Sequence, residues 1–208
     1  MEADHPLAGW GAKQGRRLLP LGRPFVERAR CLPQTPLFAD LTEEERAALE
    51  RRSRLLACSK GALLYAPGET GQQLFIVIQG AVELYERSEG RRLLLARLGP
   101  GAVFGEMALL GQAMYDAFAE AVEPSLLCVL EREALRHFLL HKPELALRLL
   151  ELVGQRLREA EAQLSDLALK DVAARLASAL LRLAARGGGN VVEGWSHRKL
   201  SELIGCLR

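Results

Sequence analysis

The chain has 208 residues, 49% of them hydrophobic, with 28 Lys and Arg against 26 Asp and Glu and a formal charge of +2. That length holds one large domain or two modest ones around a real core, and so small a net charge means that any binding of nucleic acid must come from a local surface and not from a bulk field. Cys31, Cys58, Cys128 and Cys206 stand singly, with no C-x-x-C pair for zinc or an iron–sulfur cluster, and no apolar run is long enough for a bilayer span or a signal core; this predicts a protein of the reduced cytoplasm.

Residues 1–36 mix Gly, Pro and Arg without a sustained period and are expected to form a partly ordered N-terminal extension. Leu37-Phe38-Ala39-Asp40-Leu41-Thr42-Glu43-Glu44-Glu45 then predicts a helix capped by Thr42, with acids in its first turn and Leu49 on its apolar face. From Lys60 to Glu106, short apolar segments are cut by Gly61, Gly68, Gly71, Gly80, Gly90, Gly99, Gly101 and Gly105, the spacing of tight turns. The segments between them, 62–65, 74–78, 81–85, 93–98 and 102–104, have strand length, and several are rich in β-branched or aromatic residues. This pattern predicts a small jelly-roll barrel. Residues 105–110 change to a brief helix-like turn, expected to be a pocket floor. Strand character returns at 117–122 and 126–130, and 131–140 reads as a short helix.

From Pro143 the period becomes helical. Leu150, Val153, Leu157, Ala160, Leu164 and Leu167 recur at alternating steps of three and four, the a and d positions of a seam, with Arg156, Arg158, Glu159 and Glu161 flanking it. So narrow a seam suits pairing with an identical helix in a parallel homodimer; the alternative is a helix packed on its own barrel. Asp171 is placed to cap a second helix from Val172 to about Ala185, which Gly187-Gly188-Gly189-Asn190 ends. Val191-Val192 reads as a short extended piece. Ser196 is placed to cap a third helix carrying Leu200, Leu203 and Ile204, which Gly205 closes with a turn.

In this order the parts resemble the bacterial cAMP-receptor and fumarate–nitrate-reduction regulator (Crp/Fnr) family, from about Leu37 onward. Gly68-Glu69, Leu74-Phe75-Ile76-Val77-Ile78-Gln79-Gly80, Gly99-Pro100-Gly101 and Phe104-Gly105-Glu106-Met107 look like the successive signatures of the cyclic-nucleotide-binding barrel. Residues 167–176 look like the family's hinge and the first helix of its DNA-binding domain, and residues 196–206 like the first helix and turn of its helix-turn-helix. The resemblance implies an α+β chain: a cyclic-nucleotide-binding-type β jelly roll over 37–142, a dimerisation helix over 143–169, and an incomplete winged helix-turn-helix domain over 170–208. It also implies a cytoplasmic homodimeric transcription regulator, with DNA, RNA polymerase and a small-molecule effector as partners and no membrane.

The same resemblance places an effector pocket at Gly105, Glu106, Met107, Ala108, Tyr115 and Asp116. In the family the glutamate binds a ribose, backbone N–H groups receive the cyclic phosphate, and an Arg followed by Ser or Thr completes the clamp. Tyr115 and Asp116 stand at those last two positions, so a neutral donor replaces a charged fork and a carboxylate faces the phosphate. Ordinary cAMP binding is therefore not expected; in the alternative, Glu106 and Tyr115 bond to one another or to the backbone in a barrel that holds no ligand. Relatives in the family sense haem, oxygen through a cluster, or a dicarboxylate, so the resemblance leaves the cofactor unknown. A cluster is disfavoured because only Cys31 lies in the N-terminal region, and His137 and His141, four apart on a helix, have no third ligand in view, so no metal site is assigned.

A metal cupin, the enzyme with this barrel, needs imidazoles inside it, and no His lies between Lys60 and Leu130; no catalytic residue is assigned. A dimeric sensor that binds a small molecule or a protein without touching DNA is the second alternative. For DNA, the resemblance assigns Ser196, Arg198, Lys199 and Arg208. A helix-turn-helix reads the major groove with its second helix, and the sequence ends where that helix begins, so the 208 residues are expected to make phosphate contacts without base readout.

Overall fold

The computed structural model describes residues 18–20, 32, 35–69, 73–89, 91–106, 115, 117–186 and 191–206. The strands are β1 (Leu18–Pro20), β2 (Ser53–Cys58), β3 (Leu63–Tyr65), β4 (Gln73–Gln79), β5 (Val82–Ser88), β6 (Arg91–Leu98), β7 (Val103–Phe104), β8 (Phe118–Ala121) and β9 (Ser125–Glu131). The α-helices are α1 (Glu43–Arg51), α2 (Arg132–His141), α3 (Pro143–Leu169), α4 (Val172–Arg186) and α5 (His197–Leu203). One compact unit holds the described residues up to Leu84 together with Arg97–Leu149; the other holds Tyr85–Ala96 together with the described residues from Leu150 on.

Two sheets build the roll, one in the order β1-β2-β9-β4-β7 and the other β3-β8-β5-β6. Their inward residues form one core: Leu56 and Cys58 of β2, Tyr65 of β3, Phe75 and Val77 of β4, Val82 of β5, Phe104 of β7, Ala119 and Ala121 of β8, and Leu127 and Val129 of β9. The glycine-bounded segments are strands as expected; most ends fall within a residue of the expected ones, but β5 runs three residues further to Ser88 and β6 begins two residues earlier at Arg91. The sequence did not announce β2. Its Arg, Leu and Ala follow directly on a helix and carry no β-branched residue, yet it pairs with β9 at six positions from Ser53 opposite Leu130 to Cys58 opposite Ser125. Tertiary pairing overrides local propensity there. Leu18–Pro20, in the stretch read as an extension, adds an edge strand to β2.

Local chemistry starts the helices. At α1 the Thr42 hydroxyl accepts from the Glu45 N–H at 3.3 Å and the Glu45 carboxylate accepts from the Thr42 N–H at 2.9 Å, a capping box that leaves Leu49 buried. Lys142, just beyond α2, reaches Glu45 at 2.7 Å. That ammonium, ahead of the cap bonds themselves, holds the Glu45 carboxyl below the usual carboxylate range. Helix α2 buries Ala134, Leu135 and Phe138, and Leu145 and Leu149 bury the first turns of α3.

Gly80, after β4, shows why glycine is required at that turn. Its φ is +87°, and a Cβ there would lie 2.3 Å from Ser125 Oγ and 2.5 Å from the Pro124 carbonyl oxygen. Ser125 is held in place: its hydroxyl accepts from the Ala81 N–H at 3.2 Å. Gly80→Ala is expected to cost about 2–4 kcal/mol through backbone strain plus overpacking, lowering the melting temperature by about 5–15 °C in calorimetry.

Candidate functional site

In the first unit, two of the pocket residues assigned from sequence, Gly105 and Tyr115, meet at the carbonyl of Gln73 on β4. Gly105 has φ +83°, and a Cβ there would lie 2.7 Å from that oxygen and 3.2 Å from the Phe75 ring, so only glycine lets the chain pass. Glu106 follows it and is buried. The Tyr115 hydroxyl donates to the same Gln73 carbonyl at 3.4 Å. Met107, Ala108 and Asp116 lie outside the described residues.

Tyr115 is fixed from three sides. Its backbone N–H donates to the Glu69 carbonyl at 3.1 Å and its carbonyl accepts from the Gly68 N–H at 2.9 Å, tying it to the Gly68-Glu69 turn. The Glu69 carboxylate closes that turn by accepting from the Ala66 N–H at 3.1 Å. The Tyr115 ring stacks on Tyr65, with centroids 3.7 Å apart and planes 9° apart. Beyond Tyr65 lie Phe75 and Phe104, themselves stacked at 5.0 Å. Burial pushes the Tyr115 phenol up to about 12, and the nearby Glu69 charge adds to the rise. Tyr115 is thus a neutral ring in an apolar box, its one donor already engaged by a backbone carbonyl. Of the sequence alternatives for Tyr115, bonding to the backbone is the one this geometry carries. Tyr65 was missed in the sequence: it lies 50 positions away and only the fold brings the two rings together.

In the second unit, the six seam positions of α3 share a face. Leu150, Leu157, Leu164 and Leu167 are 63%, 59%, 67% and 41% exposed within the single chain. Near the end of α3 the buried Asp166 accepts from Lys170 at 2.7 Å and from Arg182 of α4 at 2.6 Å, and Lys170 also donates to the Ser178 hydroxyl at 2.8 Å. The carboxyl is held below the usual carboxylate range by Lys170 first and Arg182 second. This network pins the break at Lys170-Asp171; the Lys170 partner was legible at four-residue spacing, the Arg182 partner was not. Asp171 caps α4 through the Ala174 N–H at 2.8 Å, as expected.

Of the residues assigned to DNA, Ser196 caps α5 by accepting from the Lys199 N–H at 3.3 Å, and the Arg198 side chain is 81% exposed. Arg208 lies outside the described residues. Gly205 closes α5 at φ +63°, as expected. On α2 the rings of His137 and His141 are 4.3 Å apart, and among the described residues no three His, Cys, Asp or Glu side chains gather as a metal-ligand set.

The profile of the cyclic nucleotide-binding domain family matches residues 55–142. The chain is 37% identical to the cyclic AMP receptor protein of Thermus thermophilus over 84% of this chain and 81% of that one. It is 29% identical to the CRP-like cAMP-activated global transcriptional regulator of Mycobacterium tuberculosis over 85% and 82%. Among solved structures it is similar to the Thermus thermophilus catabolite activator protein, with a TM-score of 0.58 at 34% identity over 82% of this chain and 80% of that one.

The aromatic box gives a stability test. Tyr115→Ala is expected to cost about 3–5 kcal/mol, as for other large-to-small aromatic changes in a core, and Tyr115→Phe about 1 kcal/mol or less, since it loses only one long hydrogen bond. Urea unfolding of the two variants checks the difference.

Proposed function

The chain belongs to the Crp/Fnr family of regulators, and we propose that it is a transcription regulator in which a cyclic-nucleotide-binding-type roll, residues 37–142, acts through a dimerisation helix, residues 143–169, on a DNA-binding segment, residues 170–208. The observation that carries this is the leucine stripe on α3. Leu150, Leu157 and Leu164 are each more than half exposed in one chain, at the spacing an identical helix covers. Arg198 and Lys199 at the start of α5, with Ser196 as the cap, are the groups offered to DNA phosphates. The setting is the cytoplasm; among the described residues no helix is long and apolar enough to cross a membrane. No catalytic role is assigned, and the Mycobacterium tuberculosis relative is named as a transcriptional regulator.

In this reading the effector pocket is Gly105, Glu106, Met107, Ala108, Tyr115 and Asp116, and its trigger is not cAMP. A cyclic phosphate there meets the Tyr115 ring in place of a guanidinium fork, and an acid, Asp116, follows Tyr115 in the sequence. Losing the charged pair is worth about 2–4 kcal/mol, so the cAMP dissociation constant is expected above about 30 micromolar. Calorimetry giving a low-micromolar value would overturn this.

The dimer and its DNA are tested together. Leu157→Glu with Leu164→Glu buries charge in the seam and is expected to give monomers in sedimentation. Selection of random duplexes on the protein is expected to return a palindromic site that the monomeric variant fails to hold. A dimer that shows no DNA preference would favour the sensor module instead.

A further inference from the structure

The second unit contains an unusual companion for its helices: residues 85–96, the greater part of the β5–β6 hairpin, cluster with them and not with the other strands. The Arg92 guanidinium on β6 lies 3.7 Å above the centre of the Tyr85 ring on β5. Its Nε is 3.8 Å from Oε2 of Glu202 on α5, and the other carboxylate oxygen, Oε1, is 3.9 Å from Nε of Arg198, one turn earlier on the same helix. The Glu202 side chain is 13% exposed, Arg92 24%. The turn that ends α5 is fitted just as closely. A Cβ on Gly205 would lie 3.1 Å from Leu167 Cδ2 of α3 and 3.7 Å from Leu93 Cδ1 of β6.

We propose that the β5–β6 hairpin is a clamp on α5 and that Arg92 is its positioning residue. Fixed over Tyr85 by the attraction between a guanidinium and an aromatic face, Arg92 holds one oxygen of Glu202. A carboxylate with both oxygens available closes on a guanidinium in bidentate fashion and neutralises it. Divided between Arg92 and Arg198, Glu202 leaves Arg198 open to a phosphate. When the hairpin moves away, Glu202 closes on Arg198 and removes one cation from the surface offered to DNA. A strand pair of the effector-type roll thus sets the charge of the output helix directly. Only the last step, from Arg198 to phosphate, rests on the proposed binding of DNA.

Two measurements separate the clamp from DNA binding. The first needs no DNA: hydrogen exchange at the Leu200, Ile204 and Cys206 amides, whose bonds to the Ser196, Leu200 and Ser201 carbonyls close α5 and its final turn. Exchange there is expected to quicken about three- to tenfold in Arg92→Ala, and more in Arg92→Glu, which sets two acids against each other. The double change Arg92→Glu with Glu202→Arg is expected to return it to near the wild-type rate. Unchanged exchange in Arg92→Glu, or faster exchange that the double change does not rescue, would overturn the role of Arg92. The second is a titration of a short mixed-sequence duplex across a range of salt. Arg92→Ala is expected to bind several-fold more weakly, with a salt slope shallower by about one unit, and Glu202→Gln to bind more tightly. If the unaltered protein does not bind the duplex at all, the DNA reading and the Arg198 step both fall, while the exchange result still decides the clamp. Duplex binding indifferent to both single changes would overturn the charge-sharing step.

Discussion

The roll is organised by the filling of its own interior with rings. Phe75 and Phe104 stack, Tyr65 tilts against both, and Tyr115 stacks on Tyr65, so that strands distant in sequence are locked by one continuous aromatic contact. The neighbouring backbone is set to the same tolerance. Gly105 passes the Gln73 carbonyl with no room for a side chain, and the Tyr115 hydroxyl ends on that same oxygen. At Tyr115 this volume is filled by a packed ring.

What was legible in the sequence was local. Caps at Thr42, Asp171 and Ser196 need a hydroxyl or carboxylate three positions from the amide they satisfy, and glycines at turns announce themselves by type, so helix starts and most strands could be placed from neighbours alone. The seam was legible because its period is a property of one helix. What escaped depended on partners far along the chain. β2 is a strand only because β9 lies beside it, Leu18–Pro20 only because β2 does, and Tyr65 meets Tyr115 only because the fold stacks the two rings. None of these partners leaves a mark at the position itself.

Helix α3 shows how one element carries two kinds of surface. Leu145 and Leu149 near its start are buried, whereas Leu150, Leu157 and Leu164 face outward, so the apolar content of the helix is divided along its length between a folded core and an open stripe. A 27-residue helix is about 40 Å long, enough to separate those two tasks. At its far end α3 is tied to the next helix.

That tie is Asp166, and its chemistry determines which signals it can obey. Because Lys170 and Arg182 depress its carboxyl, the network is complete above the ordinary carboxylate range and comes apart only as acidity rises through the lowered value. Near neutrality, then, the joint is indifferent to protons. Its cations are another matter. The side chains of Lys170 and Arg182 are 42% and 37% exposed, within reach of mobile ions, while the acid between them is nearly covered. Added electrolyte screens the exposed side of the pair and leaves the buried side in place. The joint between α3 and α4 therefore feels salt only through its exposed cations and keeps its charges across the neutral range.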